Sequence, residues 1–169
     1  MTTAVIGATG RVGSDLVRGL LARGDAVAAL VRDPDKARSV FGEPDGLRVR
    51  RTRLDDPREL SKALDGIRTV FIAMGSIGIE GVLQRIVINT AAGISSIKQV
   101  TRLSVLNTSA GSRGINQRAH YSIDQFASST GVPYSTIRPA IFSASLLAGR
   151  ARCVPRAPGP VSPAAAAWP

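Results

Sequence analysis

The chain lacks several residue types that common functional sites require. Its 169 residues include a single cysteine, Cys153, and a single histidine, His120. One cysteine cannot form an internal disulfide, which predicts a reducing, cytoplasmic setting. No set of His, Cys and carboxylate residues has the spacing of metal ligands, so no metal site is predicted.

Long apolar runs are also missing. No uninterrupted apolar stretch approaches the roughly 20 residues that span a bilayer. Residues 1–6 lack the basic region and the apolar region that together form a signal peptide. We therefore expect no membrane segment and no membrane partner.

Aromatic residues make up only 4% of the chain, although its net charge is +10. Surfaces that bind single-stranded nucleic acids interleave aromatic with basic residues, and this sequence shows no such pattern. We therefore predict no specific nucleic-acid partner, despite the basic charge. Weak nonspecific DNA binding at low salt is still expected.

Strand-like and helix-like patterns instead alternate along the sequence. The predicted strands are 2–6, 26–31, 47–54, 69–73, 99–104 and 134–137. The predicted helices are 11–23, 34–40, 57–64, 81–92 and 117–129. This alternation predicts an α/β fold: a doubly wound parallel sheet of order 3-2-1-4-5-6 in a three-layer α/β/α Rossmann arrangement. Arginines at 48, 50, 51 and 53 then lie on an edge strand, where charge discourages pairing with other chains.

The chain has one composition change. Residues 150–169 hold five of the ten prolines and an alanine run. We predict that 1–149 form one domain and that 150–169 form a Pro/Ala-rich, disordered tail.

Glycines at positions 7, 10 and 13 connect the first strand to the first helix. This context is the one that a dinucleotide-binding loop needs. Gly7 permits a tight turn, Gly10 lets a diphosphate approach, and Gly13 lets the helix pack closely on the strand. The helix N-terminus then faces the phosphates. The alternative is a plain strand–helix turn.

The end of the second strand indicates which dinucleotide binds. NAD-specific sites usually place an acidic residue there to accept from the ribose 2′-hydroxyl. Here Arg32 occupies the position of a 2′-phosphate, and Lys36 follows one helical turn later. NADPH is therefore favoured over NADH. The alternative is that Arg32 is only solvated and that Asp33 caps the following helix.

The loop 7–13, followed by the segment 31–37, resembles the NmrA-like family of atypical short-chain dehydrogenases. Later segments fit as well, namely 54–57, 70–75, 101–106, 120–124 and 134–139. The resemblance covers roughly residues 2–148. It implies an NAD(P)H-dependent oxidoreductase that reduces a small-molecule quinone or ketone, in aromatic polyketide or other secondary metabolism. A non-catalytic NAD(P)-binding redox sensor is the alternative.

The resemblance also implies roles for particular residues. It assigns diphosphate contacts to Thr9, Gly10, Arg11 and Val12, 2′-phosphate contacts to Arg32 and Lys36, and the ribose and nicotinamide side to Ala73, Met74, Gly75, Ser104 and Val105. Family members are usually longer, so the chain is expected to be truncated. Apolar surface left uncovered would then favour a homo-oligomer.

The sequence also departs from the family. Arg53 replaces a common acidic residue near adenine. The Tyr-x-x-x-Lys pair of classical short-chain dehydrogenases is absent, because Tyr121 is followed by Gln125 and Tyr134 by Arg138. The remaining catalytic candidates are His120, as a proton donor or orienting group near the cleft mouth, and Tyr121. The alternatives are an exposed helical histidine and a tyrosine that only packs.

Overall fold

Strands and helices alternate strictly through residues 2–139, which are the part of the chain that this computed structural model describes. The strands are β1 (Thr2–Ile6), β2 (Ala26–Val31), β3 (Leu47–Arg51), β4 (Thr69–Ile72), β5 (Gln99–Leu103) and β6 (Tyr134–Ile137). The helices are α1 (Arg11–Ala22), α2 (Pro34–Phe41), α3 (Pro57–Ala63), α4 (Ile79–Ala92) and α5 (Ile115–Ser129). The tail predicted for 150–169, with Cys153, lies outside the described residues.

All neighbouring strands are parallel, and their order is β3-β2-β1-β4-β5-β6. This confirms the predicted doubly wound sheet. Ile6 is paired with Leu30 on one side and with Ile72 on the other. The carboxyl ends of β1, β2 and β4 therefore finish at the same edge, where the chain reverses its direction of winding.

Successive strand residues face two separate hydrophobic cores, as a sheet covered on both sides requires. On one face Ile6 belongs to a core that includes Val87 of α4 and Ile123 of α5. On the other face Val5 belongs to a core with Val17 of α1. The three layers are thus α3, α4 and α5, then the sheet, then α1 and α2. No helix within residues 2–139 has the length and apolar character to cross a membrane.

Some elements start or stop at other residues than the pattern predicted. Strand β3 ends at Arg51, and the chain then turns so that Asp56 can cap α3 by accepting from the amides of Arg58 and Glu59 at 2.9 and 3.1 Å. Helices α4 and α5 each start two residues earlier than predicted. Their first residues, Ile79 and Ile115, are 68% and 63% exposed, and each follows a glycine N-cap without a capping side chain, so no polar capping residue marks the start.

The arginines of β3 lie at the sheet edge, as predicted. Arg48 and Arg51 are exposed. Arg50 instead donates to the Ala63 carbonyl oxygen at 2.5 Å, at the C-terminal end of α3. That end of the helix carries partial negative charge, so the contact stabilises it.

Helix α1 packs against the end of β1 through a glycine. Gly13 is buried, and a Cβ atom on it would overlap with the carbonyl oxygen of Gly7. Gly19, on the same helix, has open space where its Cβ would lie. Only the first glycine is therefore required by packing.

We expect Gly13→Ala to lower the free energy of unfolding by about 1–3 kcal/mol, because the added methyl group meets backbone that cannot move aside. Gly19→Ala is the matched control and should raise the same quantity by up to about 1 kcal/mol through helix propensity. Urea denaturation followed by circular dichroism measures both. Equal stability of the two variants would contradict this account of α1.

Candidate functional site

A cleft of about 770 Å³ opens at the carboxyl ends of β1, β2, β3 and β4. Open parallel sheets bind ligands at this position, where the winding direction reverses. Of the predicted cofactor residues, the cleft is lined by Gly7, Thr9, Gly10, Arg32, Lys36, Ala73, Met74 and Gly75. The structure thus gathers at one cleft residues that lie up to 68 positions apart in the sequence.

The turn after β1 brings backbone from two strands close together. Gly7 has a φ of +79°, and a Cβ atom on it would overlap with the Ala73 carbonyl oxygen at the end of β4. The Gly10 amide donates to the Gly7 carbonyl at 3.0 Å and closes the turn. A side chain at residue 7 would therefore be strained and would also separate the two strand ends.

Helix α1 begins at this turn without a side-chain cap. Its N-cap residue is Gly10, and its first turn holds no acidic residue. The first amides of an α-helix have no partner within the helix and carry partial positive charge. A bare, positive helix end over a glycine turn fits a diphosphate, so these residues suit the dinucleotide that the sequence predicts.

The end of β2 presents cations to the cleft. Arg32 and Lys36 are both exposed, and neither forms an ion pair with another residue of the described chain. The Asp33 carboxylate accepts from the amides of Asp35 and Lys36 at 3.0 and 3.1 Å, so it caps α2 as one alternative predicted. Two cations with no carboxylate partner suit a negatively charged 2′-phosphate better than they suit a neutral ribose hydroxyl.

The cleft has further lining residues beyond the predicted cofactor contacts, among them Arg53, which the family resemblance places near adenine. Arg53 lines the adjacent wall and donates from Nε and Nη2 to the two carboxylate oxygens of Asp55, both at 3.3 Å. These contacts raise the pKa of the Arg53 guanidinium and lower the pKa of the Asp55 carboxyl. The signal that could have found this pair is their position directly after a strand.

The opposite wall of the cleft is largely apolar. It follows β4 and includes Met74, Ile77, Ile79 and Leu83, together with the exposed Glu80. Ile77 and Ile79 are 50% and 68% exposed, whereas isoleucine is among the residues most often buried. An apolar wall beside a cationic one suits a ligand with a charged end and a flat, less polar end.

The remaining predicted residues do not line the cleft. Arg11, Val12 and Gly13 form the first turn of α1 next to it. Ser104 is buried and donates to the Asp124 carboxylate at 3.3 Å, and Val105 follows it beyond β5. Within residues 2–139, no three His, Cys, Asp or Glu side chains converge as metal ligands would.

His120 lies in a buried polar cluster rather than at the cleft lining. It is 5% exposed, so the alternative of an exposed helical histidine is wrong. Its Nδ1 atom is hydrogen-bonded to the Arg102 guanidinium. Because arginine can only donate, Nδ1 must accept, and the ring proton is on Nε2. Tyr121, its neighbour, is half-buried.

Burial and the adjacent Arg102 charge lower the pKa of His120 to about 4. The imidazole is therefore neutral near pH 7. Burial likewise raises the pKa of the Tyr134 hydroxyl, which donates to Asp124 at 2.9 Å. Neither group is a ready proton donor near pH 7, since His120 lacks the second ring proton and Tyr134 holds its hydroxyl proton firmly.

Comparison with known proteins gives one family and several relatives. A family model described as NAD(P)H-binding matches residues 7–160. The NAD(P)H azoreductase of Xenophilus azovorans is 29% identical over 143 residues, which are 85% of this chain and 49% of that protein. The NADPH-dependent quinone oxidoreductase of Escherichia coli, solved with NADPH, has 26% identity and a TM-score of 0.78 over 89% of this chain and 53% of that one.

A solved mutant of NmrA shares the fold at 20% identity, with a TM-score of 0.69 over 81% of this chain and 44% of that one. The chain thus spans about half the length of each of these proteins.

The neutral, buried state of His120 makes stability depend on pH. Histidine in the unfolded chain gains a proton below about pH 6.5, whereas His120 in the folded protein stays neutral until about pH 4. Between these values the unfolded state binds more protons. The free energy of unfolding should therefore fall by about 3 kcal/mol as the pH drops through this window, and this contribution should stay constant above it.

The variant His120→Asn tests this, because its amide oxygen can replace Nδ1 as acceptor without titrating. Urea denaturation from pH 8 to pH 4.5 measures both proteins. The wild type should lose more stability than the variant below pH 6.5. Parallel curves would show that His120 does not titrate in this way.

Proposed function

The chain belongs to the NAD(P)H-binding family, and from this membership we propose that it is an NADPH-dependent oxidoreductase that reduces a quinone or ketone. We propose aromatic compounds of secondary metabolism as the substrate class. The cofactor supplies the hydride in such a reaction. The chain spans about half of the length of its relatives. The activity and the substrate class are therefore proposals about the protein as a whole.

The observation that carries the proposal is the division of the cleft into three parts in sheet order. Cations follow β2, the bare helix end follows β1, and the apolar wall follows β4. A dinucleotide has the same sequence of parts: a phosphorylated adenosine, a diphosphate and a nicotinamide nucleoside. The Escherichia coli relative that binds NADPH supports the choice of cofactor.

The proposed roles follow from these positions. Arg32 and Lys36 hold the 2′-phosphate, and Gly7, Thr9 and Gly10 admit the diphosphate to the amides of Arg11 and Val12. Ala73, Met74 and Gly75 face the nicotinamide half, whereas Ser104 and Val105, after β5, lie outside the cleft lining. The exposed isoleucines at 77 and 79 exclude water beside the ring and offer a surface for a flat substrate.

In this proposal, catalysis depends on how the protein places the substrate beside the cofactor. The Tyr-x-x-x-Lys pair is absent, and His120 is neutral and bonded to Arg102. Holding an electrophilic carbonyl or quinone beside the reduced cofactor is then the principal contribution of the protein. We propose that His120 orients neighbouring groups, and that Tyr121 is the remaining candidate for donating a hydroxyl hydrogen bond.

The same observations favour a second candidate, a non-catalytic NAD(P)-binding redox sensor. A sensor needs the cationic cleft but no proton donor. Turnover separates the two functions. We expect the protein to oxidise NADPH in the presence of menadione faster than the uncatalysed background, measured by the loss of NADPH absorbance. Tight NADPH binding with no oxidation above background would favour the sensor.

The assignment of the 2′-phosphate site rests on Arg32. We expect Arg32→Ala to weaken NADPH binding by about tenfold to a hundredfold, because a charge-assisted hydrogen bond to the phosphate is lost. NADH affinity, which involves no such phosphate, should change less than about twofold. Isothermal titration calorimetry measures both.

The control is Arg48→Ala, because Arg48 is exposed on β3 and its side chain has no hydrogen bond or ion pair with residues 2–139. It removes the same charge away from the cleft lining and should leave both affinities unchanged. An equal loss of NADPH and NADH binding in Arg32→Ala would refute the assignment.

A further inference from the structure

Arg102, on β5, is fully buried, and its guanidinium is held on all sides. Its Nη1 donates to Asp124 at 2.5 Å, and its Nε donates to the side-chain oxygen of Gln84 at 2.6 Å. Its Nη2 is hydrogen-bonded to His120. A buried charge without a partner would be strongly destabilising, so the partners define one arrangement for this side chain.

The Asp124 carboxylate is equally constrained. Besides Arg102 it accepts from Tyr134 at 2.9 Å, from Arg138 at 3.2 Å and from Ser104 at 3.3 Å. Both of its oxygens are thus occupied, and the charge of the buried pair is balanced. Asp124 therefore fixes Arg102 from the side of α5 and β6.

Gln84 connects the buried Arg102 side chain to the cleft. It is buried on α4, and its orientation follows from the chemistry of arginine, which can only donate. The amide oxygen of Gln84 must face Arg102, so its NH₂ group points the other way. That group donates to the main-chain carbonyl of Gly75.

Gly75 is a lining residue of the cleft, in the segment that leaves β4. The position of the Gly75 backbone is therefore set from inside the protein, through a chain of hydrogen bonds that ends at Arg102 and Asp124.

We propose that Gln84 is a positioning residue that sets the cleft wall against which the nicotinamide half of the cofactor binds. This inference rests on the proposed function. It does not involve the adenosine half, which lies toward β2 and β3 at the other end of the cleft. A defect in Gln84 should consequently affect ligands that contain the nicotinamide half and spare those that lack it.

The test is Gln84→Glu in the full chain. A glutamate keeps the acceptor for Arg102 but cannot donate to the Gly75 carbonyl when ionised. Binding of NADPH and of adenosine 2′,5′-bisphosphate, which lacks the nicotinamide half, is measured by calorimetry. NADPH affinity should fall about tenfold, the value of one lost hydrogen bond, while the bisphosphate should bind as to the wild type.

Gln125→Glu is the matched control, since it makes the same chemical change at an exposed position of α5. Hydrogen exchange of the peptide 73–80 gives a second readout and should be faster in Gln84→Glu only. If that variant fails to fold, Gln84→Asn takes its place, because its shorter amide cannot reach both partners.

The outcomes separate the two proposals. Unchanged NADPH binding and exchange, or an equal loss of both ligands, would overturn the role of Gln84 and leave the cofactor site standing. A wild-type protein that binds neither ligand would overturn the proposed function, and this inference with it.

Discussion

The approach of two backbones at residue 7 is the constraint on which the cleft depends. The ends of β1 and β4 lie side by side, and the Gly7 turn meets the Ala73 carbonyl where any side chain would have to be. Gly13 then brings α1 against the same turn. Because three main-chain segments meet without side chains, the N-terminal end of α1 opens into the cleft instead of being covered.

Cationic side chains occupy two contrasting positions in the fold, one exposed at the cleft and one buried. Arg32 and Lys36 remain exposed at the cleft, where they are available to an anion. Arg102 is fully buried and satisfied by Gln84, His120 and Asp124. The net charge of +10 alone does not show which cations can meet a partner, because that depends on the position and burial of each one.

Much of the fold could be predicted because its signals are local. Apolar strands, glycine turns and capping residues such as Asp33 locate the elements, and parallel strands joined by helices allow few orders. The errors lie at the ends, as at Ile79 and Ile115, where a glycine N-cap offers no capping side chain to mark the start of the helix. Most residues predicted to contact the cofactor line the cleft for a related reason: they follow strands closely, and parallel strands end at one edge.

The sequence by itself determined the strands and helices, the glycine turn and the cations after β2, because each depends on residues close together in the chain. Only the tertiary structure decided the state of His120 and the partners of Gln84. Their contacts with Arg102 join residues 18 positions apart in either direction, through side-chain directions that no local pattern encodes. The burial that lowers the pKa of His120 likewise arises only when α4, α5 and the sheet are packed together.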